Sequence, residues 1–129
     1  MRAHPPVDRQ QVGASAEDAA LACLQQAGLV LLARNARYPF GEIDLVMRDG
    51  ETVVFVEVRF RRPSRFGGAA LSIDAGKRRK IARASQAWLS SHRQYRDASC
   101  RFDVVAAATA EAGISCEWIR AAFTLDDLH

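Results

Sequence analysis

Between Gly41 and Arg62 the chain reads GEIDLVMRDGETVVFVEVRFRR. Apolar and polar side chains alternate on both sides of Asp49-Gly50, and an Asp-Gly pair between two alternating runs is a strong hairpin signal. Two strands, 42–48 and 52–60, are therefore expected to pair antiparallel. Such a hairpin commits the chain to a sheet, because a one-residue slip would send a whole apolar set to the wrong face. The same segment carries Glu42, Asp44 and Glu57 among Val, Ile, Leu and Phe, and follows the last acid with Arg59, Arg61 and Arg62. Acids are depleted in strands, so three of them here need a reason.

A two-residue Asp49-Gly50 turn would pair Arg48 with Glu51, Asp44 with Phe55 and Glu42 with Glu57. Side chains alternate between faces. Ile43, Leu45 and Met47 then share a face with Val54, Val56, Val58 and Phe60, while Glu42, Asp44, Glu57 and Arg59 share the other. In this register Asp44 and Glu57 are diagonal neighbours, with Cα atoms ~7–8 Å apart. Carboxylates that close repel unless a cation sits between them, and hard divalent ions such as Mg²⁺ take oxygen ligands of this kind. The alternative is a solvent-facing strand face with ordinary charges, Glu57 pairing with a nearby arginine. Val53 and Phe55 fall on the same face as the acids, so that face is expected to be partly covered by a helix.

The rest of the chain supplies the helices. Residues 1–12 read as a disordered tail and 13–129 as one domain. Ser15 can cap a helix with Asp18 three residues on, and that helix runs to Gly28, a good residue just past a helix end. Positions 17, 20, 21 and 24 share one face, so Glu17 heads a stripe of Ala20, Leu21 and Leu24. Its alternative role is an acid at the helix N-terminus, favoured by the dipole. LVLLAR, 29–34, is a short buried strand, NARYPFG a loop and RRPSRFGG a basic loop. Asp74 can cap a second helix over 75–92, with Ile81, Ala84, Trp88 and Leu89 on one apolar stripe. RFDVVAAA, 101–108, and ISCEWIR, 114–120, are two more strands. The order is αβββαββ. A helix between the third and fourth strands is long enough for a crossover, so an α/β fold with a mixed sheet is expected.

Composition excludes several classes. With 49% hydrophobic and 26% charged residues the chain is an ordinary globular one. No apolar run reaches the ~18 residues of a membrane span, and the first residues, MRAHPPVDRQQ, lack the apolar segment of a secretory signal. Cys23, Cys100 and Cys116 match neither a zinc spacing nor a disulfide framework. They are expected to be packed, reduced thiols in a cytoplasmic protein. His4, His92 and His129 are scattered, which argues against a His/Cys metal site. The net charge of +3 is concentrated in RFRRPSR, 59–65, and KRRKIAR, 77–83. Two such stretches are either solvated faces or contacts for a polyanion.

AEDAALACL, RNAR, GEIDLV, VFVEVRFR, KRRKIARASQAWL and CRFDVV occur in that order. The ordered set, spanning roughly residues 15 to 120, resembles the bacterial YraN family within the restriction-endonuclease-like fold, whose catalytic pattern is written PD-(D/E)xK. The resemblance implies a nuclease core with a mixed central sheet flanked by helices. It implies that Glu17 matches a helix acid, Asp44 the acid of the second strand, Glu57 that of the third, and that Arg59 stands at the usual lysine position. The activity implied is a Mg²⁺- or Mn²⁺-dependent DNA endonuclease that hydrolyses phosphodiester bonds, similar to enzymes that resolve branched DNA such as Holliday junctions. Asp44 and Glu57, with the Val58 carbonyl, would hold the metal. Arg61, Arg62, Arg65, Lys77, Arg78 and Lys80 would hold the nucleic-acid backbone by phosphate contacts. Paired cuts would suit a homodimer.

Arg59 is the departure. A buried lysine can lose its proton and an arginine cannot. If the reaction needs a neutral amine, the protein is a catalytically weak or inactive nucleic-acid binder acting in DNA repair or recombination. If it needs only a cation, arginine serves. Lys77 is in line with Ile81, Ala84 and Trp88 and could reach over the acids; Gln86 is a weaker candidate for the same region.

Overall fold

A computed structural model of the chain describes residues 9–61, 73–110 and 113–123. In chain order it has α1 (Arg9–Gln26), β1 (Val30–Tyr38), β2 (Gly41–Asp49), β3 (Thr52–Arg61), α2 (Ala75–Ser91), a short 3₁₀ turn (Arg93–Tyr95), β4 (Cys100–Ala110) and β5 (Gly113–Phe123). The five strands form one sheet in the order β1-β2-β3-β4-β5. β3 and β4 are parallel, and the other neighbours are antiparallel. The crossover between the parallel pair is the segment that contains α2. This mixed sheet with two helices matches the expected αβββαββ order and is compatible with a nuclease-like core. No helix among the described residues is long and apolar enough to cross a membrane.

The period-two pattern explains how the helices attach. Val46, Val53 and Phe55 form one cluster with Ile81, Ala84 and Trp88 of α2. Leu45, Met47, Val54 and Val56 form another with Ala20 and Leu24 of α1. Odd and even positions of the hairpin thus bury against different helices, and the sheet is covered on both faces. Asp74 caps α2, its Oδ1 accepting from the Lys77 N–H at 2.8 Å. The helix also approaches the start of β2 very closely: a Cβ at Gly41 would lie 2.7 Å from the Lys80 carbonyl oxygen. A side chain there would push the first half of α2 off the sheet.

Several local expectations need correction. α1 begins at Arg9, so Ser15 is inside the helix and does not cap it; residues 1–8 of the expected tail lie outside the described residues. β1 continues through NARY to Tyr38, leaving only Pro39 and Phe40 as the turn before Gly41. The β2–β3 turn is centred on Gly50-Glu51, because Asp49 pairs with Thr52 and Arg48 with Val53. Gly50 has φ of 59°, and a positive φ at the first central position is what a type II′ turn asks of glycine. The register is therefore displaced by two residues from the expected one. Because the displacement is even, the faces of the strand centres survive. Ile43 does not follow the rule: it packs in the α2 cluster, apart from Leu45 and Met47.

The buried acid of the RFDVV motif is structural. Between the pairs Phe102/Phe123 and Val104/Ile119 the β4–β5 register shifts by two residues. The extra β5 segment contains Ala121, whose φ is 51°. Asp103, fully buried, accepts from the Ala121 N–H (2.9 Å), the Trp118 indole (2.9 Å) and Arg101 Nε (2.9 Å). Arg101 in turn reaches Asp49 at 3.1 Å. The carboxylate satisfies a backbone N–H that the bulge removed from the ladder. Asp103→Ala strands these donors, and unfolding in urea is expected to show a loss of about 3–5 kcal/mol. A loss under about 1 kcal/mol would mean that the bulge stands without Asp103.

Candidate metal and phosphate site

The β2–β3 ladder ends at Leu45 and Val56. One further step in that register sets Asp44 opposite Glu57. There the strands part, and the Val58 N–H donates to Asp44 Oδ2 at 2.8 Å. A side-chain oxygen has taken the place of a strand carbonyl. The fork that results holds two carboxylates. Glu57 is buried, with 8% of its side chain exposed, and Asp44 is partly buried. They are closer to opposite than the diagonal arrangement expected from the sequence, for the same reason that the turn moved.

Lys77 completes the group from above. Its Nζ lies 3.0 Å from Glu57 Oε1, and 51% of its side chain is exposed. Its i to i+4 alignment with Ile81 puts it on the face of α2 that packs over the acids, and its ammonium meets Glu57. Burial alone would lower its pKa, but the contacts with Glu57 and the charge of Asp44 outweigh it, and the ammonium is held above its ordinary value. The charge of Arg59 is felt at Lys77 as well.

Asp44 is the strained member. Its pKa is raised to about 7, first by burial and next by the charge of Glu57; the Val58 N–H pulls in the other direction. Near neutrality the Asp44 carboxyl is therefore partly protonated, because burial and the neighbouring charge both disfavour its anion.

The other expected residues are placed as follows. Glu17 is near enough for its charge to be felt at Asp44, but its Oε1 accepts from Arg34 Nε at 3.0 Å. Arg34 also bonds Asp18 at 2.6 Å. The residue pattern does not show this clamp between α1 and β1; its one trace is Arg34, an arginine inside a strand. Glu42 faces Arg37 at 3.4 Å. Arg78 turns back on the protein, donating to the Ile73 carbonyl at 2.7 Å with its guanidinium over Phe123. Lys80 is exposed. Gln86 is exposed and lines a shallow hollow with Leu89, Ser90, Arg93 and Arg96. The Arg61 side chain, Arg62 and Arg65 lie outside the described residues.

Comparison with known proteins agrees with the motif order. Residues 16–107 match the model of a family described as "Uncharacterised protein family UPF0102". A UPF0102 protein of Xanthomonas campestris pv. campestris (strain B100) is 55% identical over 122 residues, covering 95% of this chain and 98% of the relative. One from Stutzerimonas stutzeri (strain A1501) is 47% identical over 116 residues, covering 90% and 97%. A third, from Shewanella amazonensis (strain ATCC BAA-1098 / SB2B), is 50% identical over 111 residues, covering 86% and 97%. The chain belongs to the UPF0102 family, the YraN group that its motifs resemble.

Proposed function

We propose that the protein is a Mg²⁺- or Mn²⁺-dependent endonuclease that hydrolyses phosphodiester bonds in DNA. The observation that carries this reading is the fork: two carboxylates, Asp44 and Glu57, brought together in a partly buried place beside Lys77 and Arg59.

The donor set fits a hard divalent cation. Its atoms are carboxylate oxygens, and one of the two acids cannot ionise at its ordinary pH beside the other. Among the described residues no three His, Cys, Asp or Glu side chains group closely enough to form a metal site by themselves. Two carboxylates, with the Val58 carbonyl as a third donor, suit Mg²⁺, which keeps several waters and binds through one or two acids plus phosphate. Glu17, held by Arg34, would act through water.

A bound divalent ion would lower the pKa of a water molecule and offset charge on the phosphate. The protein's own part is positional. Asp44 and Glu57 would fix where a cation is held, because they sit where the β2–β3 ladder ends and the Val58 N–H holds the Asp44 carboxylate. Arg59, two residues beyond Glu57, presents a permanently charged fork suited to a pair of phosphate oxygens. Lys80 and the basic segment 61–65 would contact the backbone without reading sequence. Hydrolysis breaks one P–O bond and adds one water, leaving a phosphate monoester and a hydroxyl. A second reading, a binder without cleavage, has one observation in its favour: arginine at the position where the resembled pattern has lysine.

Asp44 gives a pH prediction. Its pKa is higher in the folded protein, so between about pH 4 and pH 7 the folded state holds a proton that the unfolded chain has released. Stability therefore falls as pH rises through that window. Asp44→Asn keeps an oxygen for the Val58 N–H and removes the charge. Thermal melts are expected to show the variant more stable than wild type at pH 8, with a smaller gap at pH 5. Mn²⁺ at pH 8 should raise the wild-type midpoint and leave the variant unmoved. A variant no more stable than wild type at pH 8 contradicts the strained pair.

Cleavage assays separate enzyme from binder. With four-way junction and linear duplex as substrates, wild type should cut with Mg²⁺ or Mn²⁺ and not with chelator, and Asp44→Ala should not cut. Arg59→Ala should lose about a hundredfold or more in rate, the scale of a removed transition-state contact, and bind DNA less tightly. Arg59→Lys should keep binding and cut at least as fast. Cutting by the lysine variant alone would establish the binder reading.

Replacing Arg61, Arg62 and Arg65 together with alanine should weaken binding to all sequences alike. It should also flatten the dependence of log K on log salt by up to about 2–3, since each neutralised phosphate contributes about 0.9. An unchanged slope assigns that run to a solvated loop.

A further inference from the structure

The Lys77–Glu57 contact is unequal. Glu57 is almost wholly buried, whereas about half of the Lys77 side chain is in solvent (8% and 51% exposed). The Lys77 backbone is fixed: Asp74 caps its N–H, and the tight approach of Gly41 to Lys80 holds the same stretch of helix against the sheet. Past its Cα, Lys77 is a flexible four-carbon stem ending in a point charge. One partner of the bridge cannot leave the fork; the other can leave once a second cation takes its place beside Glu57.

The charges at the fork then limit what it can hold. Two carboxylates face the Lys77 ammonium, and Arg59 adds a second positive charge felt at Lys77. A divalent ion on the same carboxylates would be repelled by an ammonium bonded to one of them. Such repulsion between charges a few ångströms apart is large at a partly buried site. The mobile, half-exposed cation is the one that yields.

We propose that Lys77 is the exchangeable cation of this site: a divalent ion entering the Asp44–Glu57 pair displaces its ammonium from Glu57, and the released ammonium binds an oxygen of the phosphate being cut. The inference rests on the metal-site reading of the same two carboxylates. It gives the chain a lysine at the phosphate without one at position 59, delivered from α2. No change of protonation is involved, since the ammonium passes from one oxyanion to another.

The test is Mn²⁺ binding to the full chain, followed by titration calorimetry at pH 8 for wild type, Lys77→Met and Lys77→Ala. Without its competitor the site should bind one Mn²⁺ about tenfold more tightly, a change of about 1.4 kcal/mol. The same variants should cut DNA more slowly. Tighter metal with slower cutting is a combination that a merely structural lysine would not produce. In wild type, Mg²⁺ should shift the NMR signal of the Lys77 ammonium, and this readout decides the matter alone if either variant does not fold. Wild-type Mn²⁺ binding with equal or weaker binding by the variants, or an unmoved ammonium signal, overturns the exchange and leaves the metal site standing. No Mn²⁺ binding by wild type overturns both.

Discussion

The hydrogen bond from the Val58 N–H to the Asp44 carboxylate is the contact on which the proposed site depends. A regular antiparallel ladder would satisfy that N–H with a strand carbonyl and leave neighbouring side chains on a pleated face. Here the ladder ends one step earlier, at Leu45 and Val56. An acid at position 44 can occupy the opening because it brings its own acceptor. Without that acceptor the fork would leave a polar backbone group without a partner, a cost proteins seldom accept. The same acceptor is a carboxylate, so satisfying the backbone brings a charge to the side of Glu57.

Everything around the fork holds it in place. Central β3 pairs parallel with β4, setting Glu57 beside Val104 and Arg59 beside Ala106. The two apolar clusters press a helix onto each face, α1 on one and α2 on the other. α2 brings Lys77 to Glu57, and α1 brings Glu17 close to Asp44, where Arg34 holds it. At the far side of β4, Asp103 also takes a backbone N–H that its ladder has lost, but its partners are Arg101 and Trp118 and its site is fully buried. The two acids solve the same backbone problem. Only Asp44 has a second carboxylate beside it and partial access to solvent.

Much of this was readable in the sequence, because alternation reports parity. Leu45 and Met47 against Val54 and Val56 could be assigned to one face from the residues alone. Parity does not report an even displacement. The Asp49-Gly50-Glu51 segment lets glycine take either central position of a two-residue turn, so the residues alone do not separate Asp44 diagonal to Glu57 from Asp44 opposite it. Ile43 packs on the α2 side because alternation fails where a ladder forks, and nothing in a period of two marks a fork. Lys77 could be foreseen from its spacing to Ile81, a property of one helix. Arg34 and Arg78 could not, since their partners lie in other segments or in the backbone, and a run of like charges does not say which member turns inward.

Asp44 and Glu57 are the proposed cation-binding pair. Crystals soaked in Mn²⁺ and measured at the manganese absorption edge test this proposal most directly. The expected result is an anomalous peak within coordination distance of both carboxylates, with the Lys77 ammonium turned away from Glu57. Manganese peaks elsewhere but none at the fork, with the Lys77–Glu57 bridge intact, would contradict it.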